Sequence, residues 1–338
     1  LLATLGAPLT RAQRAAVQSL PHVSLREGRS RLEWMEDPWA DLERAGDWLL
    51  TLESEFEPDV IHLNHLAHGA LSWRAPVMVV GHSCVLSWWA AVRRCPLPPQ
   101  WFRYRACVFE SLQAADAVVA PTRAMLGALE LHYGPLGNGI VIPNARDASA
   151  FFVAPKEPLI LAAGRLWDEA KNITALEQVA PQVTWPVCIA GPTRGPHGNN
   201  IHLCSARALG HLTTEELAKW YASASIYALP ARYEPFGLTV LEAAHSGCAL
   251  VLGDIASLRE TWGDAAVYVP PDSPAELQAA LNGLIAAPRR RRELAARARQ
   301  RAAKLTPAAF AAAYHRMYRT LITEKGIPKC ASYSFTTR

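Results

Sequence analysis

The chain reads as two α/β units, each a doubly wound parallel sheet under covering helices, facing one another across a cleft. Three observations predict this. Short apolar runs of strand length alternate with helically spaced stretches through most of the sequence. The alternation pauses at the Pro- and Lys-bearing segment 154–157 and then restarts. A length of 338 residues also exceeds what one ordinary core organises. The resulting division is 1–153 for the first unit, 154–305 for the second, 306–324 for a final helix, and 325–338 for a tail without periodicity.

In the first unit, residues 1–5 and 22–25 read as strands, with a short helix over 10–20 between them. Residues 39–56 carry apolar side chains at helical spacing. Strands follow at 58–63, 76–80, 117–120 and 140–142, each apolar and each entered or left through Pro, Gly or Asp. Residue 1 is Leu and already opens a strand, so a doubly wound first unit is expected to lack its opening strand and helix. In the second unit, strands are predicted at 158–163, 187–190, 225–229, 248–252 and 266–269, with helices over 214–222 and 289–303 and a last helix from Pro307 to Thr323.

Half of the residues are hydrophobic and 19% are charged, which describes a folded globular protein. A net charge of +4 gives no footprint for nucleic acid. Seven cysteines form no C-x-x-C pair, and several lie in apolar runs; reduced thiols in a cytoplasmic protein account for them. No apolar run approaches the ~20 residues that span a membrane. Arg289 to Arg292 could give a weak association with an anionic membrane surface, but a solvated helix face accounts for them first.

The most informative stretch is 231–247. An apolar strand ends at Pro230, Glu234-Pro235 leads into a turn, Gly237 frees the backbone, and 238–244 has helical composition. Free amides of Phe236, Gly237 and Leu238 at a helix start can hold a phosphate. Glu234, on the loop, can reach outward to hydroxyls, and Glu242, about one turn into the helix, can accept from a vicinal diol such as a ribose. After the first strand of the same unit, Gly164-Arg165 and Lys171 place two cations at the same sheet edge, suited to neutralising a diphosphate. There is no D-x-D, in keeping with neutralisation by side chains and no metal ligand set. His82 and Ser83 follow a strand of the first unit, opposite those cations. His62, His65 and His68 recur every three residues, but they divide between a strand and a loop; His65 and His68 are therefore assigned to the acceptor side of the cleft and not to a metal. Trp88-Trp89 offers a platform for an acceptor or a piece of core.

Taken together, Gly164-Arg165…Lys171-Asn172, Glu234-Pro-Phe-Gly-Leu…Glu242-Ala, Gly247 and the strand-terminal His82 resemble the family 4 retaining glycosyltransferases of the GT-B architecture, two Rossmann-like domains across a cleft. The segment 141–144 resembles that family's interdomain crossing, although Ala145 stands where the family has Gly. The resemblance implies a nucleotide-diphosphate sugar as donor substrate, with no cofactor, and a sugar, lipid-linked or small-molecule acceptor bound by the first unit. It implies that Gly164, Arg165 and Lys171 hold the diphosphate and Glu242 the ribose. Glu234 and the amides of Phe236, Gly237 and Leu238 would hold sugar and phosphate, Leu212 would lie near the base, and His82 would contact the sugar. Two other readings stay open on the sequence. A nucleotide-sugar binding protein without transfer activity is motivated by the missing opening strand, and a two-domain epimerase by the shared architecture.

Overall fold

The computed structural model describes residues 1–195, 198 and 200–325; of the expected tail 325–338, Lys325 ends the last helix and 326–338 lie outside the described residues. Twelve strands form among them. In the first unit they are β1 (Leu2–Thr4), β2 (Leu25–Glu27), β3 (Ile61–Leu63), β4 (Val77–Val80), β5 (Ala117–Ala120) and β6 (Gly139–Val141). In the second they are β7 (Glu157–Ala163), β8 (Val187–Ala190), β9 (Arg207–Gly210), β10 (Ala224–Leu229), β11 (Ala249–Gly253) and β12 (Ala266–Val269).

The second unit is doubly wound. Its six strands are all parallel in the spatial order β12-β11-β10-β7-β8-β9. Chain order therefore runs outward in both directions from the neighbours β7 and β10, which is the topological switch point where such sheets leave a crevice beyond their carboxyl ends. Side chains of β7 alternate between two cores. Leu159, Leu161 and Ala163 face a cluster with Tyr221, Leu241 and Trp262, whereas Ile160 and Ala162 face one with Leu176, Val251 and Leu281. β9 was not anticipated: it is a short, largely exposed edge strand opening on Arg207, without the longer apolar run that marks the others.

The first unit is likewise a parallel α/β unit, with its strands divided into two sets. β3-β4-β5-β6 form a four-stranded parallel sheet in which each successive strand adds to the same edge, and β1-β2 form a separate parallel pair. β1 and β2 are short and half exposed, so each offers few ladder bonds and little apolar face to a larger sheet. The second strand also lies later than expected, at Leu25–Glu27 and not 22–25.

Helices follow the apolar spacing. Trp39–Phe56 buries Leu42, Ala45, Leu49 and Leu52 on one face and stops where Glu57 takes a left-handed conformation. Val85–Val92 starts immediately after His82-Ser83, with Cys84 accepting from the Ser87 amide. The last helix, Pro307–Lys325, lays Tyr314 and Leu321 against Met78, Val80 and Val119, on one face of the first unit's sheet. Among the arginines of Pro288–Ala302, Arg291 turns inward, donating to the carbonyls of Leu284 and Ile285 over the Trp185 ring. Among the described residues no helix is long and apolar enough to cross a membrane.

Candidate active site at the switch point

The switch point places two loops side by side: 164–172 after β7 and 230–237 after β10. The backbone there is packed without room for side chains. A Cβ on Gly191 would lie 1.8 Å from the Gly164 carbonyl oxygen, and one on Gly253 would lie 2.2 Å from that of Ala231. Asn172, in the left-handed region, stitches the loops together: its side-chain amide donates to the carbonyls of Pro230 and Pro271 at 2.9 and 2.7 Å.

Lys171 and Glu234 meet at this floor. The ammonium lies 2.5 Å from one carboxylate oxygen, and both side chains are nearly buried, 15% and 12% exposed. The other oxygen accepts the amides of Gly237 and Phe236 at 2.9 and 3.3 Å. Gly237 supports this turn with φ +89°. The sequence expectation pointed Glu234 outward and left these amides free for phosphate; instead the carboxylate turns back onto them. The physical reason is local. Two amide donors at a helix start and a half-desolvated ammonium form a strong anion site, and Glu234 carries the nearest anion. The Phe236 ring is buried in the core, so this residue presents only its main chain, whereas Leu238, which begins the helix Leu238–His245, is 43% exposed.

Arg165 is mostly exposed. It pairs with the buried carboxylate of Asp168 at 2.9 Å and lies over the Trp167 ring. Glu242 is buried and meets the Arg146 guanidinium at 2.8 Å; burial pushes its carboxyl above the ordinary value, with Arg146 and the Tyr221 hydroxyl opposing the rise. Arg146 comes from the chain crossing between the units and was not singled out from sequence; its proximity to the Pro143-Asn144 segment was the available signal. Leu212 follows β9 and packs partly against the core around Tyr221, so its side chain is engaged there.

From the first unit, the His82 ring bonds the side-chain amide oxygen of Asn64 at 2.8 Å, and crowding by neighbouring atoms lowers its pKa. Ser83 lies 3.1 Å from the Tyr233 hydroxyl. The three histidines at 62, 65 and 68 part company. His62 bonds the Tyr318 hydroxyl at 2.7 Å and stacks on Tyr314 of the last helix. His65 bonds His68, which in turn meets the Leu42 carbonyl. His65 also lines a cavity of about 340 Å³ between β1 and β3 with Leu2, Leu63 and Trp73. His68 is buried, so of the acceptor-side pair only His65 borders open space. Among the described residues, no group of three or more His, Cys, Asp or Glu side chains is arranged to hold a metal ion. Trp88 is a cross-unit link, its indole N–H donating to Asp168 at 3.1 Å.

Comparison with known proteins fits this layout. The family model described as Glycosyl transferases group 1 matches residues 157–287, and that described as Glycosyltransferase Family 4 matches residues 4–150. D-inositol 3-phosphate glycosyltransferase of Xylanimonas cellulosilytica is 30% identical over 282 residues, covering 71% of this chain and 67% of that protein. The chain belongs to the family 4 glycosyltransferases. Glycogen synthase of Mycobacterium tuberculosis is 26% identical over 306 residues, 81% of this chain and 72% of that enzyme. Among solved structures, sucrose-phosphate synthase from Thermosynechococcus elongatus superposes with a TM-score of 0.76 at 20% identity, covering 88% of this chain and 84% of that one. Anabaena HepE in complex with UDP and glucose gives 0.67 at 16% identity, covering 91% and 88%. These likenesses support the GT-B fold. This glycosyltransferase is accordingly a transferase enzyme working from a sugar donor.

Proposed function

We propose that this glycosyltransferase moves a hexose from a nucleotide-diphosphate sugar to a hydroxyl of a sugar, lipid-linked or small-molecule acceptor, with retention of configuration and without a divalent metal. The observation that carries the reading is the anion site made by Lys171 and the Phe236 and Gly237 amides at the switch point, which Glu234 fills with its own carboxylate. HepE, in complex with UDP and glucose, supports a nucleotide sugar as donor for a chain of this fold.

In this reading the diphosphate exchanges with Glu234. It takes over Lys171 and the two amides, Arg165 adds its charge from the exposed edge, and the released carboxylate turns to the hydroxyls of the hexose. Glu242 meets the ribose once Arg146 shares it. His82 and Ser83 face the sugar from the other unit. The bond from the anomeric carbon to the phosphate oxygen breaks as the acceptor oxygen bonds to the same face, and the acceptor proton passes to the departing phosphate. Charge developing on that phosphate is what the cations and amides stabilise, so no carboxylate need become a covalent nucleophile. Six cysteines among the described residues are unpaired thiols, which supports a cytoplasmic location.

The test is a panel of UDP-, GDP- and ADP-sugars followed by calorimetry and by slow donor hydrolysis, with Lys171→Ala alongside. Binding and hydrolysis by the wild type, with both lost in the variant, are expected. Binding without hydrolysis would replace transfer by a binding role. Full activity of Lys171→Ala would overturn the site.

A further inference from the structure

Tyr233 belongs to the second unit, on the loop that carries Glu234, yet its side chain lies in the first. Its ring packs against the core that holds Tyr104, Met125 and Leu129. Its hydroxyl lies 2.8 Å from Ser87 Oγ and 3.1 Å from Ser83 Oγ, and the Cys84 amide donates to it at 3.4 Å. These three partners form the start of the helix Val85–Val92, directly after His82. The main chain of the same residue is tied the other way: the amides of Arg232 and Tyr233 both donate to the carbonyl of Ala170, next to Lys171. One residue therefore touches the Lys171 loop with its backbone, precedes Glu234 in sequence, and reaches the His82–Ser83 loop with its side chain.

We infer that Tyr233 is a positioning residue, fixing the spacing between the His82–Ser83 loop and the Lys171–Glu234 cluster so that the two halves of the site meet in one geometry. The reasoning is one of polar satisfaction. The buried Ser87 hydroxyl would keep the Cys84 carbonyl at 3.1 Å if the units separated there, whereas the half-buried Tyr233 hydroxyl would lose Ser87, Ser83 and the Cys84 amide together. Other links also cross the boundary, among them Glu260, whose carboxylate accepts the Arg123 and Ala124 amides at 2.7 and 2.9 Å. Arg93–Glu169 and Arg94–Asp272 are exposed ion pairs, which water and salt screen. Trp88 holds Asp168, and Thr122 donates to the Pro235 carbonyl at 3.0 Å. Of these, Tyr233 alone is joined through its own main chain to the Lys171 loop and through its hydroxyl to the loop after β4.

The inference rests on the donor-site reading above, and the experiment separates the two. Tyr233→Phe keeps the ring and removes the hydroxyl; Ser87→Ala removes a partner and keeps the tyrosine. UDP-, GDP- and ADP-glucose are offered to the wild type, both single variants and the double variant. Binding of the accepted nucleotide is expected to stay within about twofold, since its contacts lie in the second unit. Hydrolysis is expected to fall about tenfold in Tyr233→Phe, the kinetic equivalent of one lost hydrogen bond, with no further fall in the double variant. Unchanged hydrolysis, additive losses, or an equal loss of binding would each overturn the positioning role. If the wild type binds none of the three, the donor reading fails by itself. Small-angle scattering then decides the clamp: a larger radius of gyration in Tyr233→Phe upholds it, and identical profiles refute it.

Discussion

Glu234→Gln is the substitution that separates the carboxylate's two jobs. The side chain keeps its shape and loses its charge. In the wild type its oxygens serve Lys171, Gly237 and Phe236 at 2.5, 2.9 and 3.3 Å. A carboxamide has one oxygen for those donors, so whichever way it turns, an NH₂ group faces either the ammonium or an amide N–H. With Lys171 and Glu234 only 15% and 12% exposed, water relieves little of this. Leaving a mostly buried ammonium without its anion costs about 2–3 kcal/mol, at the low end of the range for fully buried pairs. For a unit of this size that corresponds to a fall of roughly 5–10 °C in melting temperature. A diphosphate, however, no longer has a carboxylate to displace, and UDP or its matching nucleotide should bind about tenfold more tightly. Donor hydrolysis should fall at the same time if, as proposed, the displaced carboxylate turns to the donor sugar, because that group has lost its charge. Calorimetric titration, differential scanning and a hydrolysis assay on one preparation read all three. An unchanged melting temperature together with equal or weaker nucleotide binding would refute the idea that Glu234 occupies the anion site it later yields.

Two further outcomes follow from the same structure. Arg146→Ala leaves the Glu242 carboxylate buried without its cation; since the guanidinium is 37% exposed, we expect a loss of about 1–2 kcal/mol by urea unfolding, and Arg146→Lys should recover part of it. A result indistinguishable from wild type would mean that Glu242 holds a proton in the folded protein. The second concerns acid. Burial, helped by His82, depresses His62 from 6.5 to about 4, so its contribution to stability is fully present above pH 6.5 and is lost as pH falls through 4. That shift is worth about 3 kcal/mol, and urea midpoints between pH 7 and 4 should fall less steeply in His62→Phe, which keeps the stack on Tyr314. Glu242, raised by burial, works in the opposite sense, losing its contribution as pH rises past 4.5.

The strands of the second unit were legible because buried parallel strands are written as unbroken apolar runs, and β8, β10 and β11 are of that kind. β9 carries Arg207 on an exposed edge and has no such signature. The helix Trp39–Phe56 was legible to the residue because its apolar stripe and its surroundings agree. At the site, residue types and their loop positions were readable, but their pairings were not. Glu234 and Lys171 are 63 residues apart, and nothing local says that the carboxylate will turn to the cation and to its own following amides. Arg146 and Tyr233 were missed for the same reason. Each acts across the boundary between the units, where partners are set by how two sheets face one another and leave no periodic mark on the chain. The order of strands in the first unit escaped likewise, since hydrogen-bond neighbours are not encoded in any one strand.

The Asn172 amide spans the carboxyl ends of β7, β10 and β12, because Pro230 and Pro271 follow the last two of these strands. Its two protons go to two different loops, and neither carbonyl can offer anything to an oxygen. One side-chain nitrogen thus ties three strand ends into a single plate, alongside the amides of Arg232 and Tyr233 that join the same two loops through the Ala170 carbonyl. An aspartate there would set three oxygens against one another and let the plate come apart along the line between β7 and β10, where the sheet changes direction.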